Sequence, residues 1–170
     1  MNIYLMGYMG SGKTTVGKKL ARALDYAFLD LDREIEKAAN RTIPEIFEQE
    51  GEEAFRLMER EALRQTFSLK NTVISLGGGT PCFYDNLEQI NKNGIGVYLK
   101  LSAASLAHRL RDSKTPRPLI DGMSEGELFE FVQQQLGERE QFYNRTHLIV
   151  KGENLNLNSL VESLEPLLSL

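Results

Sequence analysis

The chain has 170 residues, 41% of them hydrophobic and 26% charged, with a net charge of -4 and one cysteine, Cys82. That length suits a single domain spanning 1-170 with a substantial core, and the acidic balance (pI near 5.3) argues against a broad nucleic-acid-binding surface. One cysteine excludes an internal disulfide, and no stretch approaches the roughly 18 apolar residues of a membrane span.

The N-terminus carries no basic region ahead of its apolar run. We therefore expect a soluble, cytoplasmic protein with no nucleic-acid and no membrane partner. No amphipathic stripe is left unassigned, so a monomer is the default. That first run, Ile3, Tyr4, Leu5 and Met6, reads as a strand. It leads into Gly7-Tyr8-Met9-Gly10-Ser11-Gly12-Lys13-Thr14, which fits the pattern G-x-x-x-x-G-K-[ST]. A helix from about Lys13 to Leu24 follows, with Val16, Leu20, Ala23 and Leu24 at helical spacing. In such a loop the glycines let successive N-H groups converge on phosphate oxygens at the positive end of the helix. Lys13 brings a charge to the outer phosphates, and Thr14 offers a hydroxyl to Mg2+. The nucleotide cradle is read as Gly10, Ser11, Gly12, Lys13, Thr14 and Thr15.

Tyr26 to Leu29 reads as a buried parallel strand ending at Asp30-Leu31-Asp32. Ligands of open parallel sheets bind beyond the carboxyl ends of strands, so these acids belong beside the phosphate loop. On an extended strand end both carboxylates share a face. Asp32 is also placed to cap the next helix. Thr42-Ile43-Pro44-Glu45 has capping-box spacing and opens a long helix to about Phe67. Within it, Arg56 and Glu59 stand at i,i+3. Either they form an ordinary surface pair, or Glu59 holds the Arg56 guanidinium so that its fork receives a carboxylate.

Thr72 to Leu76 is the third strand and stops at Gly77-Gly78-Gly79, a turn that suits close approach of backbone to ligand. A helix over about Tyr84 to Asn93, a strand over Val97 to Leu101, and a helix from Ser102 to about Arg111 come next. The proline-bearing stretch from Asp112 to Gly122 has no amphipathic period and reads as a closing lid carrying Arg117. Ser124-Glu125-Gly126-Glu127 opens another helix with Arg139 near its end. His147 begins the last strand, and Leu157 to Leu164 marks the last helix. Strands alternating with helices predict an α/β fold: a doubly wound five-stranded parallel sheet flanked by helices.

Taken together and in order, Gly7 to Thr14, Asp30-x-Asp32, Phe55-Arg56-x-x-Glu59, Gly77-Gly78-Gly79, Arg117-Pro118-Leu119 and Arg139 before Phe142-Tyr143 resemble shikimate kinases. These are P-loop kinases of the nucleoside-monophosphate-kinase type, with the P-loop NTPase fold. The resemblance implies ATP-dependent phosphorylation of the 3-hydroxyl of shikimate, on the route to chorismate and the aromatic amino acids, with Mg2+ as cofactor. It also implies roles. Lys13, Asp32 and Arg117 are catalytic, Asp32 as base, and Arg117 also meets the nucleotide. Thr14 ligates Mg2+ directly and Asp30 through water. Asp32, Arg56, Gly77, Gly78, Gly79 and Arg139 bind shikimate, on helices over about 32-67 and the late helix, beneath a lid over about 112-123. Either Arg109 or Arg111 lies against adenine, and Lys151 to Asn154 is assigned to the adenine loop by position. Thr80-Pro81-Cys82 departs from the small aliphatic run familiar in the family. Other P-loop kinases of small anions, such as a gluconate or adenylylsulfate kinase, share the phosphate loop. A nucleotide-dependent switch is the rival from another class, and Asn91-Lys92-Asn93-Gly94 lacks the acid of a guanine-reading motif.

Overall fold

In the computed structural model, which describes residues 1-170, five parallel strands form one sheet. They are β1 (Asn2–Met6), β2 (Ala27–Asp30), β3 (Thr72–Ser75), β4 (Gly94–Lys100) and β5 (Leu148–Lys151), in the order β2-β3-β1-β4-β5. Seven helices surround them: α1 (Lys13–Leu24), α2 (Leu31–Ala39), α3 (Ile43–Gln65), α4 (Asn86–Asn93), α5 (Ala103–Asp112), α6 (Glu125–Tyr143) and α7 (Leu157–Leu168).

The period of two along the central strands divides the core between the faces. Ile3 and Leu5 of β1 point with Val73, Val97 and Leu99 toward Leu20 of α1 and Leu160 and Leu164 of α7. Tyr4 and Met6 point the other way with Ile74 and Tyr98, into a larger core shared with α2 to α6. Each fully buried leucine or isoleucine here stabilises by about 1.5–3 kcal/mol relative to exposure. Because β1 pairs with β3 on one side and β4 on the other, the sheet reverses its winding there. The carboxyl end of β1 is the crevice where such folds bind ligands.

Several local expectations hold. Thr42 and Glu45 form a reciprocal capping box, and Ser102 accepts from the Ser105 amide. At Ser124 the hydroxyl accepts from Glu127 N. Others differ for physical reasons. The strand expected to be buried at β2 is an edge strand, paired only with β3, and Ala27 is exposed. The helix expected to be continuous to Phe67 breaks at Gly51 (φ 87°, ψ 175°) and ends at Gln65. A short 3₁₀ turn, Thr66–Ser68, follows and is fastened by Asn2, whose Nδ2 donates to the carbonyls of Thr66 and Leu69. Residues 113-124 between α5 and α6 form turns without helix or strand, with Ile120 and Met123 packed on the core.

Candidate active site

The phosphate loop joins β1 to α1. Gly10 (φ 79°) and Gly12 (φ 90°) both occupy the left-handed region, which favours glycine at these two positions. Lys13 folds back over the loop, its Nζ donating to the carbonyls of Gly7 (2.7 Å) and Tyr8 (3.0 Å). Burial pushes its pKa down to about 8, an effect opposed by Asp32 and reinforced by Arg139 and Arg117. Ser11 is buried beneath, and Thr15 is exposed on the first turn of α1. Thr14 Oγ1 donates to Asp30 Oδ2 at 3.2 Å, so hydroxyl and carboxylate meet at the carboxyl ends of the strands, across β3.

The two acids do not share an extended strand end, as the alternation argument expected. β2 stops at Asp30, which caps α2 by accepting from the Arg33 amide. Asp32 lies within the first helical turn, and the turn of the helix, rather than the pleat of a strand, brings it to the cleft. Its capping alternative falls to Asp30 instead. Burial, with the neighbouring charge of Glu59, pushes the Asp32 carboxyl up to about 6, against the pull of Lys13.

Opposite the loop, the three glycines form a floor on which side chains from three helices converge. A Cβ built on Gly77 would stand 2.8 Å from Asp32 Oδ1, one on Gly78 2.9 Å from Arg139 Nη1, and one on Gly79 2.6 Å from Arg56 Nη1. The turn is glycine because α2, α3 and α6 press their functional groups onto its backbone. Arg56 is no surface pair: it is buried, its Nη1 donates to Glu59 Oε1 at 2.9 Å, and its guanidinium lies 4.0 Å from the Phe83 ring centroid. Arg139 stacks 5.6 Å from the ring centroid of Tyr8. Tyr143, one turn further along α6, donates to the Gly78 carbonyl, and Tyr8 donates to Gln135 Oε1.

Arg117 reaches the same cleft. It is half-buried and close enough to Tyr8 and Lys13 to lower the pKa of each, and its Nε is buried with no hydrogen-bond partner. Of Arg109 and Arg111, Arg109 is the one turned to the phosphate loop, its Nη1 donating to the Ser11 carbonyl at 3.4 Å, whereas Arg111 pairs with Glu125 and Asp112. The segment from Lys151 to Asn154 sits nearby, tied by the Ser102 amide to Glu153 and by Gly152 N to the Lys100 carbonyl. His147 is exposed and accepts from the Gly96 amide, a structural contact. A cavity of about 1000 Å³ lies elsewhere, lined mainly by residues of α2 and α3, and none of the groups named above lines it.

Tyr8, Thr80, Phe83, Gln135 and Tyr143 touch these groups and escaped sequence reasoning. No local pattern set them apart: Thr80 follows the glycines, while Gln135 and Tyr143 stand among other polar residues of α6.

Fold and cleft together define a class, that of the P-loop kinases, with a phosphate cradle facing a second, basic pocket. Comparison with known proteins narrows it. The shikimate kinase family model matches residues 9–166. A shikimate kinase of Bacteroides thetaiotaomicron is 42% identical over 100% of this chain and 99% of its own length. The crystal structure of shikimate kinase from that organism superposes with a TM-score of 0.92 over 100% of this chain and 99% of the other. An Acinetobacter baumannii shikimate kinase in complex with shikimate, 35% identical, gives 0.81 over 98% and 92%. The chain belongs to the shikimate kinase family.

Proposed function

We propose that this cleft transfers the γ-phosphoryl group of ATP to the 3-hydroxyl of shikimate, forming shikimate 3-phosphate. The observation that carries the reading is the convergence of Asp32, Arg56 and Arg139 on Gly77, Gly78 and Gly79, directly across from Lys13. A hydroxylated ring acid suits that arrangement. Two arginines accept its carboxylate, Arg56 through a fork pre-aimed by Glu59, and Asp32 stands at the hydroxyl. The glycine floor lets the ring approach backbone.

Phosphoryl transfer asks for positioning and charge neutralisation more than covalent help. Backbone amides from Gly10 to Thr15 cradle the phosphates, and Lys13 swings from the carbonyls of Gly7 and Tyr8 to the β and γ oxygens. Arg117 brings charge from the lid at 112-123, whose closure excludes water from the transferring group. Asp32, with its pKa near 6, accepts the hydroxyl proton at neutral pH. Arg109 is the arginine set against adenine, beside the Lys151 to Asn154 segment.

The residues fit Mg2+. Thr14 Oγ1 and Asp30 Oδ2 lie side by side at 3.2 Å, and no group of three or more His, Cys, Asp or Glu forms a closed cage. That donor set suits an ion which keeps phosphate and water ligands, with Thr14 bound directly and Asp30 through water. When bound, Mg2+ supplies charge neutralisation on the phosphate oxygens.

The chain works as one domain, 1-170, whose acceptor-binding helices are those of about 32-67. A monomer in the cytoplasm is the setting we infer; the single free thiol, Cys82, suits a reducing compartment. The test is a coupled ADP-release assay with shikimate, gluconate and adenylylsulfate as acceptors. Turnover confined to shikimate is expected; turnover with another acceptor and none with shikimate would overturn the reading.

A further inference from the structure

Glu59 is a buried carboxylate, 1% exposed, whose two oxygens are engaged from opposite sides. Oε1 accepts from Arg56 Nη1 at 2.9 Å, and Oε2 accepts from Thr80 Oγ1 at 2.8 Å. Thr80 is wholly buried and is itself fixed at both ends. Its amide donates to the Gly77 carbonyl at 3.1 Å, and its carbonyl accepts from Asn86 Nδ2 at 2.9 Å. Asn86, 1% exposed, stands in the first turn of α4, and Pro81 stiffens the turn between them.

A carboxylate gripped through one oxygen turns about its last side-chain torsion, which is broad and shallow. Gripped through both, it has one orientation, and so does the guanidinium that donates to it. The other restraints on Arg56 are softer: Glu52 accepts from Nε at 3.4 Å from a largely exposed position, and the Phe83 ring limits only the stacking distance. The hydroxyl of Thr80 is therefore the group that sets the plane of the Glu59 carboxylate. A hydrocarbon there would leave Oε2 buried without a donor.

We propose that Thr80 is a positioning residue for acceptor recognition: its hydroxyl, by donating to Glu59 Oε2, aims the Arg56 guanidinium at the acceptor carboxylate. The inference rests on the reading that Arg56 binds that carboxylate. It makes Thr80, at the end of the glycine turn, part of how this chain holds its acceptor.

Thr80→Val keeps the volume and removes the donor; Thr80→Ser keeps the donor and removes the methyl. With ATP saturating, Thr80→Val is expected to raise shikimate KM about tenfold while the KM for ATP and kcat stay within about threefold, and Thr80→Ser is expected to hold wild-type KM. In a Glu59→Gln background the added effect of Thr80→Val on KM shrinks. Should Thr80→Val fold poorly, Thr80→Ala against Thr80→Ser makes the same comparison. A shikimate KM unmoved in Thr80→Val, or lost alike in Val and Ser, overturns the proposal and leaves Thr80 a packing residue. Arg56→Lys run in parallel separates the two levels. An unmoved KM there sinks both readings, whereas a raised KM with Thr80→Val like wild type sinks this inference alone.

Discussion

Replacing Gly79 by alanine tests the acceptor pocket by sterics alone. Gly79 has φ −90° and ψ −10°, a conformation any residue adopts, so the backbone is not strained and a methyl there stabilises by about 0.4–1 kcal/mol through the unfolded chain. The added Cβ, however, would stand 2.6 and 2.7 Å from the two terminal nitrogens of Arg56, where ordinary contact begins at 3.4 Å. The guanidinium is the free end of a long side chain, so it yields rather than the turn. With Phe83 stacked at 4.0 Å and Glu59 on its flank, it moves out of the position in which it donates to Glu59 and faces the acceptor. Losing one hydrogen bond to a charged group costs about 1.5–3 kcal/mol. At about 1.4 kcal/mol per factor of ten, kcat/KM for shikimate should fall roughly 10- to 100-fold. The KM for ATP should stay near the wild-type value, while the melting temperature falls because Glu59, buried, loses its charged partner. Coupled ADP release with shikimate varied, beside a thermal melt, gives the answer. A kcat/KM for shikimate within threefold of wild type refutes the placement of Arg56 at the acceptor.

Lys13→Ala should abolish turnover without lowering the melting temperature, since it removes a buried charge; near-normal kcat would remove the phosphate-loop assignment. Asp32→Asn should cut kcat by about 10²–10⁴ with the KM for ATP kept, the range of a general base. In wild type, kcat/KM for shikimate should fall as pH drops through about 6, because the base is lost on protonation; an acidic limb surviving in Asp32→Asn would assign it to another group. The stability sign is also fixed. The folded pKa exceeds the unfolded one, so the native state binds more protons between about pH 4 and 6 and Asp32 costs stability as pH rises through that window. Asp32→Asn should therefore melt higher than wild type at pH 7, with the gap closing below pH 4. Arg56→Lys keeps the charge and loses the fork, so shikimate KM should rise about tenfold with kcat maintained; an unchanged KM means that Arg56 serves only Glu59.

What was legible in the sequence follows from the range of each interaction. The phosphate loop is local: the glycines, Lys13 and Thr14 that define it lie within eight residues, and their spacing alone identifies it. Arg109 against Arg111 was not legible, because the two differ only by the phase of α5 relative to a loop some hundred residues earlier. The helical placement of Asp32 was hidden by one residue of boundary, which turned a pleat argument into the wrong geometry for a correctly chosen acid. Thr80 and Tyr143 were invisible for a different reason. Their partners, Glu59 and Gly78, lie 21 and 65 residues away, and a hydroxyl does not announce what it must satisfy. A buried donor needs a partner, but the sequence does not say which.

The cleft's charges form one coupled system. Lys13, Arg56, Arg109, Arg117 and Arg139 gather there in a chain whose net charge is -4, and Arg117 and Arg139 push the Lys13 pKa down. That mutual repulsion is relieved when an anion enters the cleft. Lys13 and Asp32 also act on each other: the lysine lowers the carboxyl's pKa and the carboxyl raises the lysine's. A phosphate charge drawn to Lys13 offsets the positive field that holds the Asp32 pKa down, and Glu59 and Asp30, which push it up, remain. On the proposed reading, Asp32 is therefore a stronger base with the phosphoryl donor in place than without it. In that reading, proton acceptance from the acceptor hydroxyl and binding of the nucleotide are linked through the charge of Lys13.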